Sequence, residues 1–430
     1  MVIRKLPLEG IRIIDLTHVW SGPHCVRLLA DMGAEAIKVE SQNRLDPSRG
    51  LPAGEPPPGR YADGNPGDRP YERTANLHQN NRNKYSITID LSKEEGVELF
   101  KKVAAISDIV IDNFSLGVME RFGLGYTALK KIKPDIIVMS MPAFGDSGPE
   151  SHFRAYGITQ EPLSGIQGLS GYIGGPPMKT GVQIGDPLNG VHAAGALLAA
   201  LWYRRRTGKG QFIDFSQLES PIAAIGDVMM DYFMNKRIPA RMGNRHPVMA
   251  PHGCYRCLGE DKWVTIAVSS DQQWPALCQV LGRQELANDS RFADIISRAE
   301  NQDELDPIIT EWTSRRGHLQ AMIELQGAGI AAGAVLNTEE IARDPQFKAR
   351  GYFKTFTHIE VGRRNTDGMA WKLSKTPGRI RRPAPCFGEH NEYVFGQLLG
   401  ISEKEIKELE ERGITGKVPL EALRDGVLPR

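Results

Sequence analysis

The amino-acid sequence predicts an α/β protein, with a large domain on a parallel sheet and a smaller α+β domain. Three observations predict it. From Ile11 to Phe215, apolar runs of strand length alternate with helical patterns. From about 225 to 345 the texture changes to a Met-rich helix, short strands and short helices. After Asp344-Pro345 the chain resumes with strand-like pieces, a Pro-rich segment and charged helices. The large domain is therefore set at residues 1–225 and 346–430, and the small one at 226–345.

Taken in order, Ile11 to Leu16 reads as a buried strand. A helix from His24 to Met32 follows, then a strand from Ala34 to Glu40. Two strands joined through a helix run parallel with a right-handed crossover, and ligands gather beyond the carboxyl ends of such strands. The first of those ends carries His18, Trp20 and Ser21. Residues 41–80 form a Pro/Gly/Arg stretch with Arg44, Arg49 and Pro56 to Pro58, of the kind that serves as a lid or binding loop. Tyr85 to Leu91 is a strand. Ser92 with Glu95 makes a capping box for the next helix. Asp108 to Asp112 is a strand ending in Asn113-Phe114-Ser115. Helices around Val118–Phe122 and Tyr126–Ile132 lead to the strand Ile136 to Met139. Met229, Met230 and Met234, in the helix from Asp227, read as core filler. Lys404 to Arg412 reads as a solvated helical face.

A net charge of +1 over 430 residues excludes binding of nucleic acid or other polyanions by bulk charge. No apolar run reaches the ~20 residues of a membrane span, and Met1 to Leu16 has no secretory h-region, so a cytoplasmic protein is expected. Five cysteines suit a reducing compartment. Cys254-x-x-Cys257 has no second pair at zinc spacing, so no metal is expected. Gly208-Lys209-Gly210 is not a Walker A loop, and no Gly-x-Gly-x-x-Gly follows the first strand.

The most informative stretch is Gly181 to Glu219, centred on Asp186. Pro187 suits the first position of the helix that follows, which makes Asp186 its N-cap. An Asp-Pro pair is first of all a cap. Gly181 and Gly185 also let the backbone approach a ligand closely, and a helix N-terminus favours anions. A carboxylate there, beside glycine N–H groups, is a candidate nucleophile with a ready oxyanion site.

These features do not stand alone. Asp15-Leu-Thr-His18-Val-Trp-Ser-Gly22-Pro23 is followed by Gly33 to Glu40, Asn81-Arg-Asn-Lys84, Asn113-Phe114, Arg121-Phe-Gly123, Gly185-Asp186, Thr207 to Gln211, Thr265 to Val268 and Gly388-Glu-His390. In this order they resemble the class III CoA-transferase family, that of formyl-CoA transferase and carnitine CoA-transferase. α-Methylacyl-CoA racemase shares the fold. The resemblance spans nearly the whole chain.

The resemblance implies a Rossmann-like large domain and two ring-like chains interlocked as a homodimer. It places Asp186 as the catalytic carboxylate, which attacks a donor thioester to form an aspartyl anhydride and then an aspartyl-CoA thioester. It implies that CoA, a substrate rather than a bound cofactor, meets Trp20, Ser21, Lys84, Asn113, Phe114, Ser115, Arg121, Arg154 and Tyr156. Trp20 stands where a transferase often has Gln. Ser41 replaces an arginine that contacts CoA in formyl-CoA transferase, and Arg44 is the candidate to compensate. The racemase branch carries a histidine where this chain has Tyr156. A phenol of pKa about 10 is a poor base at neutral pH, whereas racemisation needs a base on each face of the carbon. Acyl exchange is therefore the expected reaction, with no metal or redox cofactor. The run of glycines typical of formyl-CoA transferases is missing, so succinyl-CoA and a substituted succinate or other dicarboxylate are the expected pair. The alternatives are a racemase or isomerase, with His152 or His192 as the second base, and a non-catalytic CoA-binding subunit beside a homologous partner.

Overall fold

The computed structural model describes residues 5–50 and 60–420. In chain order the large unit opens with β1 (Arg12–Asp15), α1 (Ser21–Asp31), β2 (Glu35–Glu40), α2 (Ala75–Asn81), β3 (Lys84–Thr88), α3 (Glu94–Ala105), β4 (Ile109–Asp112), α4 (Val118–Arg121), α5 (Tyr126–Ile132) and β5 (Ile137–Ser140). Then come α6 (Gly157–Leu163), α7 (Ile166–Leu169), whose last three residues belong to the small unit, and then α8 (Gly185–Thr207), β6 (Phe212–Asp214), α9 (Glu219–Ile222) and α10 (Gly226–Asn235).

Six strands form one sheet in the order β3-β2-β1-β4-β5-β6, all parallel. This is the doubly wound order, and it reverses direction between β1 and β4. Both faces are covered, so the strands are apolar on both sides. Ile14, Val110 and Val138 pack with Phe100 and Val103 of α3 and with Val394, Phe395 and Ile406 from the C-terminal segment. Ile13, Ile109, Ile111 and Met139 pack with Val26 and Leu29 of α1 and with Ala193 and Leu197 of α8. The small residues of α8 have a purpose. A Cβ on Gly190 would stand 2.6 Å from His24 Cδ2 and 2.9 Å from the Ser21 carbonyl oxygen, so the two helices touch backbone to side chain.

The Pro/Gly/Arg stretch carries more structure than its composition suggests. Asp46 caps a 3₁₀ turn at Pro47–Arg49, and Thr74 caps α2. The Arg49 guanidinium is buried between Glu40 and Glu72, so charge pairing orders what composition left as a loop. The expected proline run at Pro56 to Pro58 lies outside the described residues. Two expected caps are corrected. Ser92 donates to Asp90 Oδ1 in a turn, and α3 begins after Lys93 without a side-chain cap. Asp186 is the second residue of α8 rather than its cap, because Glu161 Oε1 takes the Ile184 N–H at 2.7 Å and the helix starts earlier. The Met-rich helix is corrected too: Met230 and Met234 of α10 are 53% and 73% exposed, so they are not core.

The chain divides into two compact units. The large one is Met1–Ile166, Lys179–Met234 and Arg350–Arg430; the small one is Gln167–Met178 and Asn235–Ala349. Against boundaries expected at 225 and 345, the large unit keeps α10 and the small one gains 167–178. Hydrogen bonds explain the gain: Arg241 donates to the Gly168 and Gly175 carbonyls, and Gly243 N to the Gly171 carbonyl. The small unit holds an antiparallel sheet of β7 (His252–Arg256), β8 (Trp263–Ala267) and β9 (Ala331–Ala334). Its core is built on Tyr255, Ile266, Trp274, Phe292 and Trp312. In the large unit, β10 (Lys354–His358) and β11 (Gly362–Thr366) form a hairpin. Arg381, further along, donates to the Ala30 and Ala34 carbonyls beside α1.

Candidate active site

The reversal of the sheet between β1 and β4 opens a crevice at their carboxyl ends. Two loops line it, His18 to Ser21 after β1 and Asn113 to Ser115 after β4, and they are bound to each other. His18 N donates to Asn113 Oδ1 at 2.8 Å, and Asn113 Nδ2 donates to the His18 carbonyl at 2.9 Å. The His18 ring meets Phe114 edge-on, with centroids 5.6 Å apart. Val19 sits at φ +69°, a costly conformation for a β-branched residue. Asp46 Oδ1 accepts the Val19 N–H and holds it there. Asp46 is itself paired with buried Lys38 at 2.8 Å. Burial opposes its ionisation, but Lys38 and His18 outweigh that and hold its carboxyl below the usual range. Burial pushes the His18 imidazole down, towards its neutral form.

The crevice is a cavity of about 1140 Å³. That lies just above the ~300–1,000 Å³ range of small-molecule sites, so the ligand it suits is large. Its wall includes nine of the ten expected site residues: Trp20, Ser21, Asn113, Phe114, Ser115, Arg121, Arg154, Tyr156 and Asp186. Arg44 lines it too, and so does Ser41. Asn113 spends both ends of its amide on His18, so it shapes the loop. Tyr156 is 67% exposed at the start of α6. Lys84 is the exception. It is fully buried, with Nζ on Asp15 Oδ2 at 2.8 Å, on the Pro23 carbonyl and on Asn81 Oδ1. It braces β1 against the start of α1 and is not among the lining residues. Asp15 gains from this: burial alone would raise its carboxyl, but Lys84 and Lys38 bring it below the usual range.

Asp186 is half-buried in the wall. With Glu161 serving the N-terminus of α8, the Asp186 carboxylate is free of the capping role. Ser21 Oγ donates to Asp186 Oδ1 at 2.5 Å. Oδ2 lies against Gly157, where a Cβ would come within 2.5 Å, so only glycine keeps that space open. Burial raises the Asp186 carboxyl above its ordinary range; the Ser21 hydrogen bond opposes this and Glu161 adds to it. Behind it, Gln160, Asn189 and Gln217 join their amides, and Gln217 Nε2 donates to the Met141 carbonyl. Sequence reasoning missed Asp46, Gln160 and Gln217, because isolated Asp and Gln residues carry no spacing signal until the fold brings them together.

Among the described residues, no group of His, Cys, Asp and Glu is placed to hold a metal, and no helix is long and apolar enough to cross a membrane. All five cysteines are free.

Residues 8–391 match the family described as CoA-transferase family III. Succinyl-CoA–D-citramalate CoA-transferase of Chloroflexus aurantiacus is 34% identical, over 95% of this chain and 98% of its own length. Succinate–glutarate CoA-transferase of Agrobacterium fabrum is also 34% identical, over 93% and 97%. The crystal structure of a CAIB/BAIF family protein from Brucella suis superposes with a TM-score of 0.82 at 33% identity, covering 92% of this chain and all of that one.

Proposed function

We propose a specific reaction on the premise that this chain belongs to CoA-transferase family III and is a CoA-transferase: it moves CoA from succinyl-CoA to a dicarboxylic acid, with Asp186 as the nucleophile. The observation that carries the proposal is the Asp186 carboxylate in the wall of a cavity large enough for a CoA thioester, relieved of its capping duty and facing a glycine. The choice of acids is supported by the two relatives named for succinyl-CoA or succinate with D-citramalate or glutarate. Arg44, Arg121 and Arg154, all on the cavity wall, suit the phosphates of CoA.

The Asp186 carboxylate attacks the thioester carbonyl carbon, the C–S bond breaks, and CoA departs as thiolate. The thiolate attacks Asp186 Cγ and the donor acid leaves as carboxylate. The acceptor carboxylate then displaces CoA from Cγ, and the thiolate attacks the acceptor carbonyl to give the new acyl-CoA and free Asp186. Each step forms one bond and breaks one, with no net proton or redox change. Covalent capture divides one difficult exchange into easier ones.

Among the residues lining the cavity the histidine is His18; His152 and His192 are not in its wall. Nothing in the site favours a racemase. The test is exchange of labelled succinate into succinyl-CoA, followed by a panel of dicarboxylates. Wild-type protein exchanges label, hydroxylamine converts Asp186 to a hydroxamate seen by mass spectrometry, and Asp186→Asn lowers exchange by about 10³ or more. Unimpaired exchange in Asp186→Asn would overturn the reading.

A further inference from the structure

We infer that the Ser21 hydroxyl is the oxyanion donor for the two steps in which the aspartyl carbon itself is attacked, so Ser21 divides the Asp186 carboxylate into a held oxygen and a reacting one. The inference rests on Asp186 being the nucleophile. Its footing is geometric. Ser21 is 2% exposed at the start of α1. Its Oγ is 2.5 Å from Oδ1, and α1 and α8 pack so closely beside it that a Cβ on Gly190 would stand 2.9 Å from the Ser21 carbonyl oxygen. Oδ2 lies on the other side, against Gly157.

Follow the two oxygens through the reaction. Oδ2 bonds to the donor acyl carbon as the C–S bond breaks, and Oδ1 becomes the carbonyl oxygen of the aspartyl half of the anhydride. When the thiolate adds to Cγ, the electron pair of that carbonyl moves onto Oδ1. It returns as the Cγ–Oδ2 bond breaks and the donor acid leaves with Oδ2. The acceptor carboxylate adds to Cγ in the same way, again placing the charge on Oδ1 before the C–S bond breaks. A donor already aimed at the developing charge accelerates such steps by about 10²–10³. The other two attacks put their charge on a substrate carbonyl oxygen, which Ser21 does not touch. Ser21 therefore acts on half of the cycle.

A general loosening of the site would slow all four steps together. Loss of the Ser21 hydroxyl slows selectively. Rapid quenching of protein mixed with succinyl-CoA alone, read by intact mass, separates the succinyl-aspartyl anhydride from the aspartyl-CoA thioester. Ser21→Ala is expected to lower labelled-succinate exchange about 10²-fold and to accumulate the anhydride at the expense of the thioester. Ser21→Thr, which keeps the hydroxyl, is expected to recover most of the exchange. The same hydrogen bond opposes the rise that burial causes in the Asp186 pKa, so Ser21→Ala also moves the acid limb of kcat/KM to higher pH. Wild-type exchange in Ser21→Ala overturns the inference. So does an equal fall of both covalent species, or a Ser21→Thr variant as slow as Ser21→Ala. If wild-type protein itself yields no Asp186 hydroxamate, the nucleophile reading falls first and takes this inference with it. A hydroxamate on wild-type protein with an unimpaired Ser21→Ala overturns Ser21 alone.

Discussion

As the proposed nucleophile, Asp186 must react as a carboxylate, yet its surroundings press it towards the neutral acid. Burial is the largest cause, and Glu161 nearby adds to it; the Ser21 hydrogen bond resists. The consequence is a pH dependence with a definite sign. Activity requires the ionised form, so kcat/KM falls as pH drops through the Asp186 pKa, and that limb lies above the ~3.9 of an unperturbed aspartate. A pH–rate profile with its acid limb at or below that value would contradict the arrangement. Lys84 shows the opposite case. It belongs to a motif that the resemblance placed on CoA, and it is instead buried on Asp15. Identity at a motif position was visible in the sequence; the side chain's direction was not. That direction depends on β3 lying two strands from β1, which no local pattern states.

Among elements, the contact of α1 with α8 decides whether the site exists. One helix brings Ser21 and the other Asp186, and at Gly190 they leave no room for a side chain. A methyl group there meets His24 and the Ser21 carbonyl oxygen well inside contact distance. Gly190→Ala is therefore expected to cost about 1–3 kcal/mol of stability. It should also lower kcat far more than it raises KM, because it moves the proposed reacting pair, Ser21 and Asp186, and leaves the arginines proposed for the CoA phosphates in place. Thermal melting and steady-state kinetics on the same preparation check both parts, and a normal kcat in a destabilised variant would separate the helix contact from catalysis. The small-residue run of α8 was legible as a helix. Its start was misplaced by two residues, because Glu161, in another helix, takes the N–H of Ile184 at the cap.

On the scale of the whole molecule, the large unit buries an unusual amount of charge. Asp15 pairs with Lys84, Asp46 with Lys38, Glu40 with Arg49, and Asp31 with Arg82. The carboxyls of Asp15, Asp46 and Glu40 are each held below their ordinary range by these partners, against the cost of burial. Burial lowers the imidazoles of His24 to about 4 and of His78 to about 3, further than their neighbours do. Both kinds of group bind more protons unfolded than folded. The histidine contribution is therefore lost as pH falls from about 6.5 towards 4, and the carboxylate contribution below about 4. Burial raises the carboxyls of Asp112 to about 7 and of Asp146 to about 6, and these gain stability over the range in which the histidines lose it. The fall of melting temperature should therefore be plain below about pH 4, and a flat profile there would refute the ion-pair contribution.

Strand and helix periodicity, local and read over a few residues, determined by itself that this is an α/β chain with a parallel sheet and a carboxylate at the head of a helix of small residues. The order of motifs identified the family. What only the tertiary structure decided is which atoms meet: Ser21 on Asp186, Asn113 on His18, Lys84 away from the cavity, Glu161 in place of the expected cap. Each of those pairings joins residues separated by many turns of chain. Hydrogen bonds and ion pairs act over about 3 Å, so they have no meaning until the sheet order has set those residues side by side.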